Sequence, residues 1–298
     1  MLVCEGVTKA FEGFTALEDV SFTVGDASIC GLVGFNGAGK TTLLKTAAAV
    51  YRPDKGRFLF DGRSNAEQAR TRQEIFLLPD MFYCLPQATM KSMAVFYGGF
   101  YPTWNGETYR RLLELFELDE GTKMQRFSKG MQRQAYLAIA LACQPRYLLL
   151  DETFDGLDPG KRNLVRRILM EYIAEKEACV LLASHYLPEI ENLCDHVVIL
   201  NDKRVAFECD MDDVGRNIRK YRLVFRRPVE EEAFRELDYR RFAREGCVVT
   251  LMAKGDADRT EAALRAMEPV MLESFPLSLE EVFLYEMEEK RYDLTGLF

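Results

Sequence analysis

Hydrophobic and polar positions alternate from residue 2 to 24, interrupted by turn-forming residues at Glu12-Gly13 and Gly25-Asp26. The pattern predicts antiparallel β structure leading into a buried strand over 28–33. That strand breaks at Gly34 into a glycine-rich loop. A helical pattern resumes from Lys40 through Ala49 and ends near Arg52-Pro53, where proline blocks continuation. A short strand over 75–78 precedes an aromatic-rich, mainly helical stretch, in which 107–118 and 131–143 carry apolar residues at i, i+3, i+4 spacing. From Tyr147 the units alternate again: strand 147–150, helix 160–174, strand 178–183, a short helix, then strand 197–200. Such alternation predicts a mostly parallel sheet covered by helices. Beyond about residue 212 the chain is charge-dense, with short strands over 221–225, 247–252 and 270–275 separated by helical stretches. The expected fold class is α/β: a mostly parallel sheet with an N-terminal antiparallel part and a helical subdomain at about 81–143, all within a domain over 1–212, then a small α+β accessory domain over 213–298.

Composition narrows the partners. A formal net charge of -8 sets an overall repulsive field against a phosphate backbone, so no nucleic-acid partner is expected. The longest apolar run, 135–143, falls far short of the roughly 18–20 residues of a spanning helix, and no basic-then-apolar leader opens the chain. A cytoplasmic location follows as the expectation. The eight cysteines are scattered without a C-x-x-C pair, and only two histidines accompany them, so structural zinc is not expected.

Candidate chemistry begins at Gly34. Residues 34–42, GFNGAGKTT, fit G-x-x-x-x-G-K-[ST] between a predicted strand and a predicted helix, the context that a phosphate loop of a P-loop NTPase requires. Here Gly34, Asn36, Gly37, Ala38, Gly39, Lys40, Thr41 and Thr42 are the nucleotide-binding candidates. Backbone N–H groups and the helix N-terminus would meet the phosphates, Lys40 would reach the β- and γ-phosphates, and Thr41 would offer a hydroxyl to Mg²⁺. A lysine in a helix's first turn is electrostatically unfavourable unless an anion compensates it. Asp151 and Glu152 emerge at the carboxyl end of the 147–150 strand, the edge where open α/β sheets bind ligands. Asp151 is placed to hold Mg²⁺, and Glu152 to orient or deprotonate a water.

Together with the phosphate loop, FSKGMQRQ from Phe127, LLLDETFDGLDP from Leu148 and ASHYLPEI from Ala183 resemble, in order and spacing, the motifs of ABC ATPases. The resemblance covers residues 1 to about 208. It implies an ATP- and Mg²⁺-dependent ATPase subunit that powers a separate membrane-spanning permease, lying peripherally on the membrane's inner face as a homodimer or heterodimer. In that family, residues matching Ser128 and Gly130 form the signature that caps the γ-phosphate of the opposite subunit. Asp158 matches the D-loop aspartate, and His185 the switch histidine that contacts the γ-phosphate. Phe11 is similar to the aromatic that stacks on adenine; Phe14 competes for that role, and core packing is an alternative for Phe11.

Departures from the family pattern are specific. Asp80 stands where a glutamine usually links Mg²⁺ to the helical subdomain, so a carboxylate would take that position; Gln87 could substitute only through a rearranged loop. Lys129 and Met131 replace the usual signature glycine and glutamine, and Thr153-Phe154-Asp155 replaces Pro-Thr-Ser. These bear on rate and coupling rather than on nucleotide binding. Met81, Phe82, Tyr83, Phe96, Tyr97, Phe100, Tyr101 and Trp104 follow Asp80, where the resembled family receives a helix of the membrane subunit. They form either a hydrophobic docking groove or the core of the helical subdomain. The stretch 276–283 resembles the closing segment of the subfamily that works with ABC-2-type membrane subunits, although a capping box of Ser278 and Glu281 explains it locally. Two other classes stay open: an ATP-driven switch acting on nucleic acid or ribosomes, and a nucleotide-binding regulator without turnover.

Overall fold

The computed structural model describes residues 1–64, 68–82, 84–214 and 218–287. The chain divides between Glu208 and Cys209 into two compact units. In the first, β1 (Leu2–Phe11) turns at Glu12-Gly13 into β2 (Phe14–Val24), β3 (Ile29–Val33) leads into α1 (Lys40–Ala47), and β4 (Lys55–Phe60) and β5 (Arg63–Ser64) follow. Next come α2 (Ala69–Gln73), β6 (Ile75–Leu78), the helices α3 (Met90–Gly98), α4 (Gly106–Phe116) and α5 (Lys129–Ala142), then β7 (Tyr147–Asp151), α6 (Pro159–Lys176), β8 (Cys179–Ala183), α7 (Leu187–Leu193), β9 (His196–Asn201) and β10 (Arg204–Asp210). Helix α1 stops before the expected proline boundary: Ala49 adopts a left-handed φ of 58°, and the chain leaves the helix there.

Two sheets result. One has the order β2-β1-β4-β5, antiparallel where β1 meets β2 and β4; the other has the order β10-β9-β3-β8-β7-β6, parallel from β9 to β6. Strands β3, β7 and β8 are buried at every residue, which is why their sequences read as unbroken apolar runs. One hydrophobic cluster joins Leu2, Val7 and Phe22 of the antiparallel sheet to Leu43 and Leu44 of α1 and to Leu32, Leu149 and Leu181 of the parallel sheet. Each such aliphatic side chain contributes about 1.5–3 kcal/mol by leaving water, so the cluster fixes the N-terminus of α1 against the sheet edge.

The second unit holds β11 (Ile218–Val224), β12 (Tyr239–Glu245), β13 (Val248–Lys254), α8 (Ala257–Arg265), β14 (Met271–Pro276) and α9 (Leu279–Met287). Among the described residues its strands form one antiparallel sheet, β12-β13-β11-β14, over a core of Tyr221, Leu223, Phe234, Val249, Leu251 and Leu264. Strand β12 lies where the sequence pattern predicts helix. It pairs antiparallel with β13 in unbroken register from Arg241 to Glu245, with a bulge between Tyr239 and Arg241, and turns at Gly246, whose φ of 61° closes a tight hairpin. Ser278 and Glu281 close the expected capping box, with Glu281 N–H donating to Ser278 Oγ at 3.2 Å and Ser278 N–H to Glu281 Oε2 at 3.2 Å. Among the described residues, no helix is long and apolar enough to cross a membrane.

Candidate active site

The parallel sheet brings the expected residues to one edge. The loop over 34–39 leaves β3, His185 follows β8, Asp151 ends β7 with Glu152 next after it, and Asp80 lies beyond β6, four strands adjacent in the order β3-β8-β7-β6. Backbone bonds align the exits: Glu152 N–H donates to Ala183 O at 2.9 Å, and Ser184 N–H to Leu32 O at 3.3 Å.

Helix α1 begins at Lys40 after Gly39, which has a φ of 104° and packs so closely that a Cβ would lie 2.6 Å from Ala16 O. Only glycine fits there, and the contact seats the loop against β2 just beyond Phe14. The N-cap residue Gly39 makes no side-chain cap bond and no acid sits in the first turn of α1, which leaves the partial positive charge of the helix start for an anion to meet. Beside Gly37, a Cβ would meet nothing within 4 Å. Lys40 is only 7% exposed and folds back to donate to Gly34 O at 2.6 Å and Phe35 O at 3.4 Å. Burial depresses its ammonium pKa, opposed by the negative charges of Glu152 and Asp151.

Thr41 Oγ1 donates to Asp151 Oδ2 at 2.8 Å. Asp151 is 2% exposed, and its other oxygen, Oδ1, is buried with no hydrogen-bond partner among the described residues. Desolvation raises its pKa, with the Thr41 bond lowering it and the charges of Glu152 and Asp80 raising it further. One orphaned carboxylate oxygen beside one hydroxyl is a donor set that fits Mg²⁺, which takes few protein ligands and completes its shell with phosphate and water. Glu152 has a left-handed φ of 50°, a strained position for a non-glycine residue, and its Oε2 lies 2.8 Å from His185 Nδ1.

Ser128 and Asp158 both occupy helix N-caps, of α5 and α6, accepting from Met131 N–H at 3.2 Å and Lys161 N–H at 2.9 Å. Gly130 is required by close approach, since a Cβ there would lie 2.7 Å from Gly156 O. Two departures prove to be one feature: Lys129 Nζ donates to Asp155 Oδ2 at 2.6 Å, and Lys129 foremost holds the Asp155 carboxyl below the usual range. Asp80 is likewise paired. Its Oδ1 accepts from Nη2 of Arg133, a residue of α5 that the sequence motifs did not single out, and Arg133 Nη1 donates to Pro79 O at 3.0 Å. The oxygen of Gln87 accepts from Lys123 instead. Phe11 and Phe14 face each other across the β1–β2 turn; both rings are exposed, Phe11 edge-on to Tyr51 at 5.1 Å and Phe14 beneath Lys203.

Beside the Asp80 loop lies a cavity of about 390 Å³, lined by Phe76, Met81, Phe82, Phe96, Tyr97 and Tyr136 among others. Phe100 stays 58% exposed, whereas Trp104 is half-buried against Tyr109 and takes no part in the lining. Tyr83 lies outside the described residues.

The ABC transporter family model matches residues 17–155. The ABC transporter ATP-binding protein YtrB of Bacillus subtilis is 29% identical over 291 residues, 98% of this chain and 99% of that protein. The Nod factor export ATP-binding protein I of Burkholderia lata is 32% identical over 208 residues, 68% of each chain. A solved structure described as the ATP-binding subunit of an ABC transporter superposes with a TM-score of 0.68 at 28% identity, covering 72% of this chain and 92% of its own. With its phosphate loop and its two strand-end acids on one sheet edge, the chain belongs to the ABC transporter family as an ATP-binding, ATP-hydrolysing subunit.

Proposed function

We propose that two copies of this subunit, or one copy and a related subunit, close on two ATP molecules and drive a separate membrane-spanning permease. The observation that carries the reading is the orphaned, buried Asp151 Oδ1 beside Thr41, next to the Glu152–His185 pair and the uncapped start of α1. In each site the 34–42 loop and Lys40 bind the phosphates, Phe11 offers its ring to adenine, and Thr41 and Asp151 hold Mg²⁺, with Asp80 on the rim. When bound there, Mg²⁺ would supply charge neutralisation to the phosphates held by the loop. Glu152 orients and deprotonates the attacking water, and His185 holds the Glu152 carboxylate and meets the γ-phosphate. Ser128, Gly130 and Asp158 serve the partner's nucleotide in addition to their local capping and packing roles. Residues 1–212 form the ATPase domain and 213–298 an accessory domain. The cavity beside the Asp80 loop receives a segment of the permease, on the inner face of the membrane.

Hydrolysis by the purified chain over a concentration series, with Glu152→Gln beside it, tests the reading. The variant is expected to lose at least about 100-fold in turnover while binding ATP and accumulating as a dimer by light scattering. Undiminished hydrolysis would remove Glu152 from its role.

A further inference from the structure

The Asp80 position poses an electrostatic problem. The family's usual residue there is a neutral amide, whereas a carboxylate beyond β6, next to the β7 end that carries Asp151 and Glu152, adds a third negative charge at one sheet edge. Left alone, it would draw a divalent cation at that edge inward as a competing ligand. Arg133 answers the excess. Its side chain is 1% exposed, its two terminal nitrogens are committed to Pro79 O and Asp80 Oδ1, and its guanidinium lies 4.7 Å from the centre of the Phe82 ring. Phe82 in turn stacks on Tyr136 of the same helix, with ring centres 4.2 Å apart and planes 6° from parallel. Arginine's rigid fork thus has one seat, braced on the loop backbone below and an aromatic ring above. Asp80 itself remains partly exposed, so the buried partner fixes the exposed one.

We infer that Arg133 is a positioning residue for ATP hydrolysis: with Asp80 it forms a net-neutral pair that takes the place of the family's amide, holding the Asp80 carboxylate at the rim of the Mg²⁺ site and out of its inner shell. The inference rests on the reading that Asp151 holds Mg²⁺. Because both charges of the pair act on the same cation, removing either one alone shifts metal binding in opposite directions. A packing role for Arg133 would not produce that reversal.

The measurement is equilibrium binding of a non-hydrolysable ATP analogue to the full chain in Mg²⁺ and in EDTA, the ratio of the two affinities being the metal's contribution. Arg133→Met, which exposes the cation to an unpaired Asp80, should raise the ratio roughly tenfold, and Asp80→Asn, which leaves Arg133 unbalanced, should lower it by roughly as much. The double variant should return within about twofold of the parent, and Arg133→Met should lower kcat even as metal binding tightens. Asp80→Asn alters a partly exposed side chain, so its arm survives if Arg133→Met does not fold; an unchanged or raised ratio there overturns the inference. Asp151→Asn is the control for the underlying reading. If it leaves the ratio intact, Asp151 does not hold the metal; if it collapses the ratio while the two single variants move it in the same direction, Arg133 has only a packing role.

Discussion

Asp151 is held in its ligand-ready state against its own solvation. Burial raises its carboxyl pKa in the folded chain, so its contribution to stability is fully present below the unfolded aspartate pKa and is lost as pH rises through the folded value. At neutral pH it therefore weighs against the nucleotide-free fold. Asp151→Asn, which keeps an oxygen for Thr41, is expected to raise the melting temperature by roughly 2–4 °C while abolishing Mg²⁺-supported hydrolysis; a lower melting temperature would contradict the account. Asp155 has the opposite sign. Lys129 lowers its pKa, so the pair's contribution is present above the unfolded pKa and disappears as pH falls through the folded one. Both partners are well exposed, and Lys129→Met or Asp155→Asn should each change stability by less than about 1 kcal/mol in urea unfolding. Gly130→Ala differs: its Cβ must displace a backbone carbonyl, and a loss of about 1–3 kcal/mol is expected in the same assay. Lys40, Thr41 and the two strand-end acids were legible because each carries a demanding chemistry at a motif position. Arg133 was not, since one arginine inside an apolar helix reads as a solvated charge until its partners on another segment are seen. The Lys129–Asp155 pair was hidden in the same way, its members standing 26 residues apart.

The helices and strands follow their patterns closely wherever one face or both are buried. The continuous runs of β3, β7 and β8 are central strands and α4 buries the one apolar side its spacing predicts, whereas α5 is buried all round from Arg133 to Ala142. Legibility failed where short-range signals competed. Strand β12 draws its conformation from pairing with β13, a tertiary cause that overrides local preference, and α1 ends on a left-handed alanine for which the sequence has no marker. Helix ends with side-chain caps are more self-contained. Asn105 accepts from Glu107 N–H at 2.9 Å and Thr108 N–H at 3.0 Å at the start of α4. Asn105→Ala should cost about 1 kcal/mol, seen as faster amide exchange at the start of α4 with ATP affinity unchanged; slowed or unaltered exchange would show that the cap contributes little.

At the scale of the molecule, each of the two units has its own hydrophobic cluster, so a chain ending at Val214 is expected to unfold cooperatively and to bind ATP with the parent's affinity by calorimetry. Loss of that binding would make the C-terminal unit part of the nucleotide site. The strand order of the parallel sheet has one more consequence, which concerns synthesis on the ribosome. Strand β8 lies between β3, which carries the phosphate loop, and β7, which carries the acids, yet it is made after both. A nascent chain that has emerged only as far as Glu152 holds the phosphate loop and both acids but lacks the strand that spaces them, so Thr41 and Asp151 are expected to meet only after residue 183 has left the exit tunnel. Nucleotide is thus expected to join the nascent chain only after β8 is in place, too late to template the pairing of β3 and β7 around it.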